Sequence, residues 1–164
     1  MRPGFWRRNS WKFLLALVVV IGLFGVGDAI VGVDADPAIP VAITGLTPDE
    51  IRVASDPVHR LIDLQVRAGG LQLIVISILW AVLILVPLRR GEKWAWYTLW
   101  TFPIWGLAVS VAFLFVELQP DQPPPPPAIS GWVFFASTSA LLWAARSRGD
   151  AFPPQDVAKA MVQR

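Results

Sequence analysis

Four long apolar blocks constrain this chain more than any other feature of it. They cover about residues 12–33, 68–88, 95–117 and 129–145. A helix rises about 1.5 Å per residue, so about 20 apolar residues cross a hydrocarbon layer about 30 Å thick. Inside that layer the backbone finds no water, and a helix satisfies its own polar groups. The blocks and the short links between them predict an all-α membrane protein, a four-transmembrane-helix antiparallel bundle forming one membrane domain over 1–164. Composition agrees: 55% of residues are hydrophobic and 16% charged, against about 25% charged in soluble domains.

The first block contains Asp28. Eleven Leu, Ile, Val or Phe residues lie between Phe13 and Val26, worth about −3 to −7 kcal/mol on insertion. An Asp costs about 2.5–3.5 kcal/mol at the bilayer centre, and Asp28 lies off-centre. Insertion wins. The rival reading is a cleaved signal peptide, with Arg7, Arg8 and Lys12 as its basic region and Val33-Asp34-Ala35 as a loose cleavage site. Cleavage would leave three spans in the same orientation.

Orientation follows from where the cations fall. Arg2, Arg7, Arg8 and Lys12, then Arg89, Arg90 and Lys93, then Arg146, Arg148, Lys159 and Arg164 all lie on one side; only Arg52, Arg60 and Arg67 lie on the other. The richer side is expected to be cytoplasmic, which places both termini inside a plasma membrane. Trp6, Trp11, Trp94, Trp96, Trp100 and Trp143 cluster near the basic ends, as an interfacial aromatic belt does.

Helices in lipid associate through small residues that let backbones approach. Gly22, Gly25, Ala29 and Gly32 form one stripe on the first span. Ser77 and Ala81 mark the second, Gly106 and Ser110 or Ala108 and Ala112 the third, and Ala136, Ala140 and Ala144 the fourth. These faces could hold one bundle together or join two copies as a homodimer. Pro103 should kink the third span.

The outer loop, 34–67, is patterned rather than loose. Thr47-Pro48-Asp49-Glu50 reads as a capping box with Pro at the first helical position, and Leu46 and Ile51 as its staple. Asp56-Pro57 starts a second helix, which either breaks at Gly69-Gly70 or runs on into span two. Two short extracytoplasmic helices are expected, with Val58, Leu61 and Ile62 facing the bundle. In the second outer loop, 118–128, five consecutive prolines from Pro123 to Pro127 predict a stiff polyproline spacer. The tail, 146–164, is polar with one weak helix over 156–163.

Ionisable groups inside spans are the default candidates for function. Asp28 and Glu117 fall in the outer half, and Arg67 lies at a similar depth, able to pair with either. Together Asp28, Arg67 and Glu117 are the speculative ligand-binding residues; the plainer reading is a salt bridge that fixes helix register. His59, flanked by Asp56 and Asp63, is too sparse a set for a metal. With no cysteine, no elbow serine and no glycine-rich phosphate loop, no catalytic residue, metal or cofactor is expected, and no nucleic-acid partner.

Two stretches resemble a known group. Arg67-Ala68-Gly69-Gly70, opening a span, resembles the Arg-x-x-Gly start of a middle helix in small bacterial four-helix membrane proteins of the DoxX-like kind. Arg89-Arg90-Gly91-Glu92-Lys93-Trp94-Ala95-Trp96 resembles the inner loop of bacterial proteins of this size and topology. The resemblance implies a four-helix membrane fold and, for some relatives, a link with quinol oxidation. The leading expectation is a protein of structural or accessory role in a membrane assembly, its partners the lipid bilayer and a second copy or another membrane protein. A lipid-, quinone- or sterol-binding protein or enzyme with an outer-leaflet pocket is the alternative, and a small transporter ranks lowest because the halves show no repeat.

Overall fold

The computed structural model describes residues 3–146, with side chains over 9–145; the tail helix expected over 156–163 lies outside the described residues. These are 84% helical without a strand. Seven α-helices follow in order: α1 (Pro3–Val31), α2 (Ala38–Thr44), α3 (Pro48–Ala54), α4 (Asp56–Leu83), α5 (Lys93–Thr98), α6 (Thr101–Ala112) and α7 (Pro126–Arg146). Four helical stretches are long and apolar enough to cross a membrane: Asn9–Ala35, Asp56–Leu88, Lys93–Phe115 and Pro126–Ala145.

The second and fourth stretches start earlier than their hydropathy blocks. The Asp56 helix does not stop at Gly69-Gly70 but runs unbroken into the second span as α4, so it is not a separate short helix. Val58 and Leu61 on it are exposed rather than turned to the bundle. The polyproline run is shorter than expected, because Pro126 and Pro127 open α7. A missing N–H costs nothing in a first helical turn. Pro103 acts in the same way, in the first turn of α6. The chain tightens just before it, and Phe102 N–H donates to the Leu99 carbonyl at 3.0 Å. At the other side of the loop, a π-helical turn, Ile84–Leu88, accommodates Pro87.

Two helix pairs make most of the contacts. Along α1 and α4, Trp11 lies under the Arg89 guanidinium at 4.7 Å, Gly22 meets Ser77, Gly25 meets Gly70 and Leu73, and Gly32 meets Asp63. Along α6 and α7, Gly106 lies on Phe134 and Ser110 on Gly131, while Ser110 Oγ donates to the Pro127 carbonyl at 2.6 Å. Helix α1 also packs on α7. The buried face of α7 includes Gly131, Thr138, Leu142 and Ala145, whereas Ala136 and Ala140 of the expected small stripe are exposed.

The densest side-chain packing sits at the end carrying the basic loop, where Leu14, Val18, Ile84, Leu88, Leu99 and Phe102 are buried. Trp80 closes this cluster. Its ring lies 4.5 Å from Phe102 and edge-on to Trp105, and its Nε1–H donates to Thr101 Oγ1 at 3.1 Å. A buried indole needs such a partner. Trp96 turns inward too, donating to the Leu142 carbonyl at 2.7 Å, whereas Trp94 and Trp143 stay exposed as belt residues would.

Gly25 and Gly70 are where backbone lies on backbone. A Cβ on Gly70 would stand 2.6 Å from both the Gly25 carbonyl oxygen and the Ala29 nitrogen, and one on Gly25 would stand 2.7 Å from the Gly70 oxygen. The neighbouring Gly69 faces open space. We expect Gly70→Ala to lower the unfolding free energy in mixed micelles by the ~1–3 kcal/mol that overpacking costs. Gly69→Ala should be neutral or stabilising by up to ~1 kcal/mol, because alanine is the better helix former. Equal effects would remove the contact from the fold's determinants.

Candidate functional site

Any helix leaves its last four carbonyls without partners. Helix α1 ends at Val31, and Arg67 from α4 answers it. Arg67 Nη1 donates to the Ala29 and Ile30 carbonyls at 3.1 and 2.7 Å, and Nη2 to Val31 at 3.2 Å. Its Nε donates to Asp63 Oδ2 at 2.7 Å, and Asp63 Oδ1 accepts from Val33 N–H at 3.1 Å. A cation is also favoured at a helix C-terminus by the aligned peptide dipoles. The planar fork of arginine reaches all these oxygens at once; a lysine could not.

Gly32 makes the clamp possible. The chain leaves α1 at φ +77° there, a conformation that costs glycine little. A Cβ at this position would run into Asp63 Oδ1 and Arg67 Nη2. The short turn Gly32–Ala35 then leads into α2.

The three candidate residues are not brought together as a pairing set. Arg67 pairs with Asp63, one turn before it on α4, and not with Asp28 or Glu117. Asp28 lies half-buried on α1 with its Cβ side against Gly70, and it makes no hydrogen bond or ion pair among the described residues. Glu117 is exposed, beyond the end of the 3-10 turn Phe113–Phe115. Among the described residues no group of three His, Cys, Asp or Glu side chains converges on a metal position; His59 is half-exposed on α4.

Over this same end lie α2 and α3. The capping box forms in full: Thr47 Oγ1 accepts from Glu50 N–H, and Glu50 Oε2 accepts from Thr47 N–H at 2.7 Å. That backbone bond, with the Thr47 hydroxyl, holds the Glu50 carboxyl below its ordinary range. Ile51 is buried, as the staple requires, although Leu46 is only partly covered. Helix α2, which has no counterpart among the expected elements, ends at Gly45 with φ +75°. Gln119, from the proline-rich loop, caps it: its N–H donates to Ala42 at 2.8 Å and its Nε2 to Ile43 at 3.2 Å. The two loops are thus joined across 76 residues. Asp36-Pro37 before α2 and Gly45 after it were the readable signals for this helix; nothing local marks Gln119.

No protein-family model matches the chain, and comparison with curated proteins and with solved structures gave no match. The likeness to DoxX-like proteins therefore extends no further than the two short motifs that carry it.

Arg67→Ala is expected to lower stability by about 2 kcal/mol, the scale of a partly buried cation at a helix C-terminus. Hydrogen exchange in bicelles should show the loss first at the amides of 29–35 and not in α7. Full protection there in Arg67→Ala would mean that water caps α1 equally well.

Proposed function

We propose that this chain is a non-enzymatic protein of a bacterial-type plasma membrane, a four-helix antiparallel bundle that serves as a structural or accessory part of a larger membrane assembly. Contacts run in opposite chain directions along α1–α4 and along α6–α7, which supports the antiparallel arrangement. The charge distribution supports the orientation. Asp28, Asp34, Asp36, Asp49, Glu50, Asp56, Asp63, Glu117 and Asp121 face three arginines at the end with α2 and α3, while Arg89, Arg90 and Lys93 lie at the opposite end. The basic end is cytoplasmic in this reading, and α2 and α3 form an extracytoplasmic roof.

The observation that carries the structural role is the occupation of Arg67. The one span-edge cation on the outer side spends its donors on α1 and Asp63, so it is not free to hold an anionic ligand. A second reading rests on Asp28 alone. An aspartate without a partner at the upper edge of a span is where a lipid, quinone or sterol headgroup would bind, with Glu117 at the rim.

A periplasmic reporter fused after Gln122 should be active and one fused after Arg90 inactive; the reverse pattern would invert the orientation. Native mass spectrometry of the protein released from gently solubilised membranes separates the two functional readings. A complex with another membrane protein, or no small ligand, is expected and supports the accessory role. A bound lipid or quinone of defined mass, lost in Asp28→Asn while the protein stays folded, would replace that role with the pocket reading.

A further inference from the structure

Helix α4 and its π-helical continuation cover Asp56–Leu88, 33 residues, which at about 1.5 Å each is about 50 Å of helix. The hydrocarbon layer is about 30 Å thick. Counted from the basic loop at Arg89 and Arg90, hydrocarbon ends near Ala68, and the charged residues Arg60, Asp63 and Arg67 lie beyond it. Some three turns of α4 therefore project into headgroups and water.

An apolar stripe runs along the outer side of this helix without stopping at that boundary. Leu61, Ala68, Val75 and Val82 alternate with Leu64, Leu71 and Ile78 at spacings of three and four, and every one is exposed. Leu61 and Leu64, on the projecting part, are 59% and 64% exposed. Lipid covers such a stripe within the bilayer. It does not cover Leu61, which lies on the order of 10 Å above the hydrocarbon edge by the same helix rise.

We infer that this stripe is the seam of a parallel two-stranded coiled coil between the α4 helices of two copies of this chain. Two copies inserted in the same orientation present α4 in parallel, which a twofold axis along the membrane normal requires. A strict three-four repeat is the pattern of such a seam. β-Branched residues at one core position and leucine at the other favour two strands: Val75 and Val82 lie in the first set, Leu64 and Leu71 in the second. Leu61 and Leu64, which lie beyond the hydrocarbon, would be withdrawn from water in such a seam, and the five residues below them would pack against their counterparts in place of lipid. Gln65 and Gln72 flank the seam on one side, exposed and without a hydrogen bond among the described residues. Gln72 lies inside the apolar stretch, where a neighbouring helix is the better partner for an amide. No acidic side chain lies on or beside the seam, so no like-charged carboxylates meet across it. The glycine stripe of α1 is already buried on α4 at Gly25 and Gly70, which leaves α4's opposite side as the surface for a second copy.

The chain has no cysteine, so single cysteines report cleanly. The full-length protein would carry Leu61→Cys, Leu64→Cys or Leu71→Cys, with Val53→Cys on α3, 88% exposed, as the off-seam control. Oxidation in native membranes is expected to give about tenfold more covalent dimer at the three seam positions than at 53, because a disulfide requires Cα atoms within roughly 7 Å. Adding Leu64→Glu to Leu71→Cys should reduce that dimer to the control level while leaving helicity unchanged. Cross-linking no greater on the seam than at Val53, or strong cross-linking at Leu23→Cys on α1 instead, would overturn the inference. The inference rests on the membrane-spanning reading, whose own failure the reporter fusions register separately.

Discussion

A helix must find partners for its last four carbonyls where it ends, and the α1 end meets that requirement with one side chain. Arg67 reaches from α4 to three successive carbonyls of α1, while Asp63 fixes the guanidinium and accepts the Val33 amide beyond it. The solution has consequences along the chain. It demands a residue without Cβ at Gly32, it demands that α4 begin well before its apolar block so that positions 63 and 67 stand level with the end of α1, and it fixes the relative height of the two helices.

Below the clamp, a different force holds the same two helices. Lipid is as apolar as leucine, so no hydrophobic gain drives spans together, and close van der Waals packing must serve. At Gly25 and Gly70 the backbones touch directly. On the other pair, Gly106 accepts the ring of Phe134 and Gly131 accepts Ser110. At the basic end the packing changes character, with Trp80, Phe102 and Trp105 filling the centre as interlocked rings. The bundle is thus joined by small residues towards the loop-rich end and by large ones towards the basic end.

The span count and the capping box at Thr47 were legible because they depend on local chemistry: hydropathy over one turn after another, and a hydroxyl three residues from a carboxylate. What was not legible depends on partners distant in sequence. The glycines at 69 and 70 read alike, yet one faces open space and the other carries the closest helix contact. The direction in which Arg67 reaches was equally hidden, since its acid at i−4 and two more distant carboxylates all lay at a plausible depth. Geometry decided for Asp63 because that carboxylate can hold Nε while leaving the other nitrogens pointed at α1. The α2 helix had punctuation at both ends but only seven residues, too few to show a period; its support comes from Gln119, a loop away.

The clamp also bears on what the outer end can do. Asp28 immediately precedes the three residues whose carbonyls Arg67 occupies, yet no cation among the described residues pairs with it. With its donors committed, the residue that looked most like a ligand-binding cation instead ties α1 to α4. Asp63 and Arg67 tie the early turns of α4 to α1 on one side of the helix, and the exposed apolar stripe of Leu61, Leu64 and Leu71 lies on the other.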